Sequence, residues 1–285
     1  MRAGSAFTSM EGRMAIMCAY RMTDEDLERY DEDGFLIVRG LFDAEEMALL
    51  RQAVEVDQDL AEAQYAVKDR QGGTAKIAIW QGTGDDLYGL VARSERIVNT
   101  MERLLGGEVY HWHSKMTIKV PLEGGAWEWH QDYGYWYTYG CLYPYLATCM
   151  IAVDRATQEN GCLQVLRGSH RFGRIDHDFQ NQLGADPERL QEAVKTLEMV
   201  YCQLEIGDGI FFHCNLLHCS GQNKSPHPRR AFLCCYNAAR NSPYKVVRHP
   251  QYTPLAKVPD SALKEAGLRI ANQEYSKRSH QQLVK

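Results

Sequence analysis

The apolar positions change their period about a third of the way along the chain. Up to residue 107 most of them fall at helical spacing. Thr23 opens a first helix as its N-cap, with acids at 24–26 in the first turn and Leu27 and Tyr30 on one side, and Gly34 ends it. Phe35–Val38 is a continuous apolar run of strand length. Asp43-Ala-Glu-Glu46 is a capping box, and it opens a helix that carries Met47, Leu50, Val54 and Leu60 on one side. Residues 61–93 are mixed, with a strand expected at Lys76–Trp80 and a glycine-rich turn after it. Ser94 caps a third helix, which runs through Leu105 to the stop at Gly106-Gly107.

From Val109 helical spacing nearly vanishes. Strands are expected at 109–120, 148–153, 162–166, 197–205, 210–213, 217–220 and 230–237, divided by Gly, Pro and Asn turns. The interruption at 184–196 reads as an inserted helix. Past residue 240 come Pro243, Pro250, Pro254 and Pro259, then a polar, basic end. Helices followed by closely spaced strands predict an α+β fold whose core is a β-sandwich or barrel. Residues 1–21 stand apart as a flexible extension, or as a transit peptide, and 22–285 are expected to form one domain with its core at about 108–240.

Composition narrows the class. The chain has 285 residues, enough to bury a sizeable core, with a net charge of −5 and a pI near 6.1. Nucleic-acid and membrane-surface roles both need a basic face, so neither is expected. No run approaches the apolar length of a membrane span. The nine cysteines show no CxxC pairing, which points to a reducing, cytoplasmic compartment and no structural zinc.

The chemistry concentrates in two places. His130 and Asp132 form a His-x-Asp pair among Trp and Tyr residues. At i and i+2 on a strand they would share a face and could ligate one ion, two thirds of a 2-His-1-carboxylate triad. The completing histidine has to come from far along the chain. Gly207-Asp-Gly209 launches a strand region holding two candidates, His213 and His218, which five residues place on opposite sides of an extended backbone. Arg229 follows eleven residues after His218, and a hairpin of that length would bring it beside the histidine strand. A guanidinium is a natural receptor for a carboxylate, and Ser220 would face the same way as His218. Taken singly, these are packed histidines and a surface cation. Taken together they share one logic: an iron with three protein ligands keeps open positions, a 2-oxo acid fills two, and its far carboxylate needs an anchor.

This arrangement resembles the phytanoyl-CoA dioxygenase family of Fe(II)/2-oxoglutarate oxygenases. The landmarks are DGFLIVRGLF from Asp33, WHQD at 129–132, NGCLQVLRGSH at 160–170, and FFHCNLLHCSGQN followed by Arg229. The resemblance implies a double-stranded β-helix (jelly-roll) core with the N-terminal helices on one sheet. It also implies Fe(II), O2 and 2-oxoglutarate, the last converted to succinate and CO2. Carried over, His130, Asp132 and His218 would be the iron ligands, and Arg229 and Ser220 would hold the distal carboxylate of 2-oxoglutarate. His213 would then be structural.

The first core strand also resembles that of ectoine hydroxylase. On that likeness Thr117, Trp127 and His113 fall where the co-substrate is contacted, and Lys115, Tyr133 and Trp136 where the substrate is. The pattern departs here: His113 and Thr117 stand for amides, Lys115 for an arginine, and Met150 for a Trp. A hydroxylase of a small polar or specialised-metabolism molecule is expected, acting as a monomer or homodimer. Desaturation, ring closure and demethylation would use the same iron, whereas the carboxylate of Asp132 stands where a halogenase leaves room for halide. The other readings are a non-catalytic jelly-roll metal-binding or sensor module and a cupin-like oxygenase without 2-oxoglutarate. Arg167 is either a second substrate cation or a solvated one. On the 109–120 strand Lys115, Thr117 and Lys119 share one face and Met116, Ile118 and Val120 the other. In a jelly roll the lysine face lines the interior.

Overall fold

The computed structural model describes residues 20–178 and 184–271; the proposed extension and the basic end lie almost wholly outside them. Thr23 and Asp26 close a reciprocal cap on α1 (Asp24–Asp33), and Gly34, at a φ of 82°, turns the chain into β1 (Phe35–Val38). A second capping box, Asp43 with Glu46, opens α2 (Ala44–Val56). The single helix expected through Leu60 is instead two. Asp57 ends α2 in an extended conformation and its carboxylate accepts from the Leu60 backbone N–H, which starts α3 (Gln58–Ala63). Then follow β2 (Tyr65–Lys68), β3 (Thr74–Trp80), α4 (Leu87–Arg93) and α5 (Glu95–Leu105). Ser94 does precede α5, but its hydroxyl donates backwards to the Val91 carbonyl and caps nothing.

The core strands are β4 (Val109–Lys119), β5 (Trp127–His130), β6 (Leu146–Ala152) and β7 (Leu163–Leu166), with α6 (Asp132–Thr138) between β5 and β6. An insertion follows, with the short pair β8 (His177–Asp178) and β9 (Gly184–Ala185) and then α7 (Pro187–Thr196), the helix expected at 184–196. The chain returns through β10 (Met199–Cys202), β11 (Gly209–His213), β12 (His218–Ser220) and β13 (Arg229–Ala238), and α8 (Ala262–Ala271) follows.

Two antiparallel sheets result, ordered β1-β11-β6-β13-β4-β3-β2 and β10-β7-β12-β5. From β4 to β13 the chain crosses between them at nearly every step, giving the jelly-roll core of an α+β fold. That alternation corrects the expected hairpin: β12 and β13 are not paired, and Arg229 faces the histidine strand from the opposite sheet.

The helices cover one face of the seven-stranded sheet. Met116 and Phe232 of that face pack with Val91, Ile97 and Met101 beneath them. Arg96 of α5 ties this layer down, with its guanidinium forked onto Glu46 at 2.7 and 2.9 Å and its Nε on Asp260 at 3.0 Å. The other face of β4 turns inward, as its alternation predicts. Opposite Cys235 and Tyr236 the ladder slips by one residue, so that Trp112 is extra. This bulge brings Trp112 and His113 together near His249 instead of on opposite faces.

Candidate functional site

A cavity of about 380 Å³ lies within the core. One part of its wall is His130, Asp132 and His218, whose ligand atoms all lie within 4.8 Å of one another. The histidines meet because β5 and β12 pair with His130 opposite His218, which sets the ring centroids 4.2 Å apart. Asp132 joins them by a route other than the shared strand face expected above. β5 ends at His130, and Asp132 is the first residue of α6, where the positive end of the helix favours a carboxylate.

Gln131, between them, fixes that change of direction. Its amide donates to the carbonyls of Gly173 (2.8 Å) and Asn215 (2.7 Å) and accepts from the Ile175 N–H (2.8 Å). Its backbone N–H donates to His177 Nε2 at 2.9 Å.

The tautomers suit a cation. Nδ1 of His130 lies 2.7 Å from the Glu128 carbonyl and Nδ1 of His218 lies 2.9 Å from that of Leu216. A carbonyl only accepts, so each Nδ1 carries the proton and each Nε2 presents a lone pair. Burial holds His130 down at about 3 and lowers His218 as well. Burial opposes the charge on Asp132, but Lys115 and the two imidazoles outweigh it and hold the carboxyl at about 2. Two histidines and a carboxylate with one open side form the donor set of a non-haem iron(II) centre. Lys115 Nζ donates to Asp132 Oδ1 and Thr148 Oγ1 to Oδ2, both at 3.2 Å.

Two residues further along β4, Thr117 accepts from Arg229 Nη1 at 3.3 Å. Arg229 is 4% exposed, its Nε has no partner, and no carboxylate of the described residues pairs with it. Burial pulls its guanidinium down to about 10. Trp127 Nε1 and both ring nitrogens of His113 are likewise buried without partners, and both residues line the cavity with Ser220. The orphaned donors, on Arg229, on Trp127 and on one nitrogen of the neutral His113 ring, fit an acidic small molecule. Behind the lining, buried Lys119 donates to the carbonyls of Ser220 and Gly221, and burial pushes it well below the usual lysine range.

One expected lining residue is displaced, and the other assignments are sorted by their partners. Tyr133 does not line the cavity: the turn of α6 sends its hydroxyl to the Cys141 carbonyl at 3.0 Å, in a cluster with Tyr110 and Trp112. Its neighbours Tyr135, Trp136 and Tyr139 face the cavity instead. His213 sits beside His170 and accepts from the Asn215 N–H at 3.0 Å, away from the triad. Arg167 pairs with Asp33 and Glu198, and Arg230 pairs with Asp154 at 2.7 Å. Met150 does line the cavity, and Lys115 reaches it with a side chain only 14% exposed.

Some lining residues escaped sequence reasoning. Tyr65, Ile79 and Gln81 come from the region read as mixed, and Arg248 and His249 from the proline-rich stretch. His249 stacks on Trp112 at 4.5 Å and meets Gln81 Nε2 at 3.5 Å, and Arg248 donates to the Tyr139 hydroxyl at 2.8 Å. Only the proline spacing hinted that this stretch is ordered.

Comparisons with known proteins converge on one family. The chain is 28% identical over 241 residues to an L-proline trans-4-hydroxylase of Streptomyces griseoviridis, covering 78% of this chain and 89% of that one. It is 27% identical over 237 residues to an ectoine dioxygenase of Bordetella parapertussis, covering 78% and 77%. Among solved structures, EctD from S. alaskensis with bound Fe superposes with a TM-score of 0.70 at 25% identity, covering 84% of this chain and 88% of that one. The sequence profile described as phytanoyl-CoA dioxygenase (PhyH) matches residues 30–231, well over half of the chain, and the chain belongs to that family.

Proposed function

We propose that this cavity is an active site in which His130, Asp132 and His218 hold iron(II), Arg229 anchors 2-oxoglutarate, and a small polar acid is hydroxylated. The enzyme class follows from the family: the chain is an Fe(II)/2-oxoglutarate-dependent dioxygenase, an oxidoreductase. Iron with 2-oxoglutarate and O2 supplies the oxidation of a C–H bond, with release of succinate and CO2. The chain's own residues do the rest. Lys115 and Thr148 each donate to one oxygen of Asp132 and hold the carboxylate in place. Arg229, with Thr117 and Ser220, receives the distal carboxylate, and the unpartnered N–H groups of Trp127 and His113 face the remaining oxygens. Met150, Leu163 and Phe212 keep water from this part of the cavity. Lys115 and Trp136 form the inner wall on the substrate side.

One observation carries the reading: a buried arginine without an acid shares a cavity with a His-Asp-His set. Lys115, at Asp132, and Thr117, at Arg229, stand about 7 Å apart along one face of β4, a span that a five-carbon dicarboxylate bridges. A non-catalytic metal module, or a cupin-like oxygenase without 2-oxoglutarate, has no use for that arginine. The test is succinate formation by the purified protein with iron(II), 2-oxoglutarate and O2. Absence of succinate, together with absence of 2-oxoglutarate binding to the iron-loaded protein, rejects the reading.

A further inference from the structure

We infer that the substrate of this cavity is a small dianion on an apolar or ring-shaped body, and not a zwitterion. The inference rests on the proposed iron and 2-oxoglutarate site and extends it to the substrate end. Three cations line the cavity, Lys115, Arg229 and Arg248, against a single carboxylate, Asp132. The histidines count as neutral, because ligating imidazoles bind metal unprotonated and burial holds His249 at about 3 and His113 well below its usual range. The distal carboxylate of 2-oxoglutarate answers Arg229, while the other carboxylate and Asp132 answer the metal. Lys115 and Arg248 are left as the excess: Lys115 has to share Asp132 with the metal, and Arg248, exposed at the rim, bonds the Tyr139 hydroxyl and no lining carboxylate.

The positions of these cations also disfavour a substrate ammonium. An ammonium needs a carboxylate or an open aromatic face. Asp132 is committed to Lys115 and to the metal. The Trp136 face already meets Lys115 Nζ, 5.7 Å from its centroid, and the Tyr139 face meets the Arg248 guanidinium at 5.3 Å. The protein's own cations thus take the lining carboxylate and two of the aromatic faces that a zwitterion's positive end would seek. Lys115 rises from the inner wall on β4, whereas Arg248 leans in from the rim on the segment after β13. They therefore receive two acidic groups, or one doubly charged phosphate, at successive depths, and the aromatic rings enclose the body between them. The relatives named for L-proline and ectoine are named for zwitterions, so a preference for a dianion would be a property of this chain, with Arg248 as its added cation.

Calorimetric titration of the anaerobic holoenzyme, with iron(II) and saturating 2-oxoglutarate, tests this. The probes are trans-cyclohexane-1,2-dicarboxylate, phenyl phosphate, cyclohexanecarboxylate, L-proline and ectoine. At least one of the two dianions should bind ten times more tightly than the monoanion, and both zwitterions should bind more weakly still. The dicarboxylate and phosphate arms tell two acidic groups from one. Arg248→Gln should reduce the advantage of the dianion over the monoanion to less than threefold. The inference is overturned by a zwitterion that binds as tightly as both dianions, by a dianion advantage that survives Arg248→Gln, or by no dianion binding. Dianion affinity that falls in proportion to 2-oxoglutarate overturns it too, since the probe then reads Arg229. Failure of 2-oxoglutarate itself to bind would overturn the underlying site assignment instead.

Discussion

Asp132 and Arg229 show how differently two buried charges can be held. Asp132 has a donor on each oxygen, whereas Arg229 has one hydroxyl and an unsatisfied Nε. The first is therefore preorganised for a metal, and the second is left for an anion to satisfy. Asp132→Ala should abolish iron retention and turnover together, measured as bound iron after gel filtration. Variant protein that keeps iron and consumes 2-oxoglutarate would reject the ligand assignment. Arg229→Ala removes a charged partner from a buried carboxylate, a loss of roughly 2–5 kcal/mol. The apparent KM for 2-oxoglutarate should rise at least about 30-fold with iron affinity unchanged. An unchanged KM would move the anchor to another cation. Lys115→Ala should uncouple the reaction: with a bound substrate, 2-oxoglutarate is still consumed but the yield of oxidised product per succinate falls. Coupled turnover at the wild-type ratio would leave Lys115 with no part in placing the substrate.

At the scale of elements, the site depends on a turn more than on any strand. The passage from β5 to α6 aims His130 and Asp132 at one point, and Gln131 fixes it with three side-chain hydrogen bonds. Gln131→Leu should lower iron affinity about 10–100-fold, as loss of the groups that orient metal ligands does. Its far-ultraviolet circular dichroism should stay native, and wild-type iron affinity in a folded variant would refute the role. The helical layer depends on Arg96 in the same way. Glu46→Ala leaves that guanidinium buried with Asp260 alone and should cost about 3 kcal/mol, read from the urea midpoint. The paired change Glu46→Leu with Arg96→Met should recover much of it, because the carboxylate left over, Asp260, keeps its ion pair with Arg21 at 3.0 Å. A single variant as stable as the wild type would mean that Asp260 suffices.

Across the whole molecule, the two sheets and their helical cover bury all eight cysteines of the described residues. Burial pushes the Cys162 thiol up to about 11 and raises the others further. Thiolates are the reactive form, so the folded protein should resist thiol reagents at neutral pH. In a Cys18→Ser variant no thiol should react until denaturant unfolds the chain, when all eight react together. Rapid labelling of two or more thiols in the native protein would show that the core opens locally.

The sequence by itself determined the elements whose signals are local. Thr23, Asp43, Gly34 and Gly106 mark helix ends by their own backbone chemistry, and the alternation along β4 sorted Met116 from Lys115 before any partner strand was known. The metal set was legible because His-x-Asp with a distal histidine and an arginine is a pattern of residue types. Tertiary structure alone decided the rest. That Asp132 lies on a helix, that Tyr133 turns away while Tyr135 and Trp136 face in, and that Trp112 and His113 share a side all follow from one turn and one bulge. Neither has a periodic signature. Arg248, His249 and Gln81 reach the cavity from segments distant in the chain, held by stacking and hydrogen bonds that exist only once the core has formed. Contacts of that kind depend on proximity in space, and residue spacing carries no record of it.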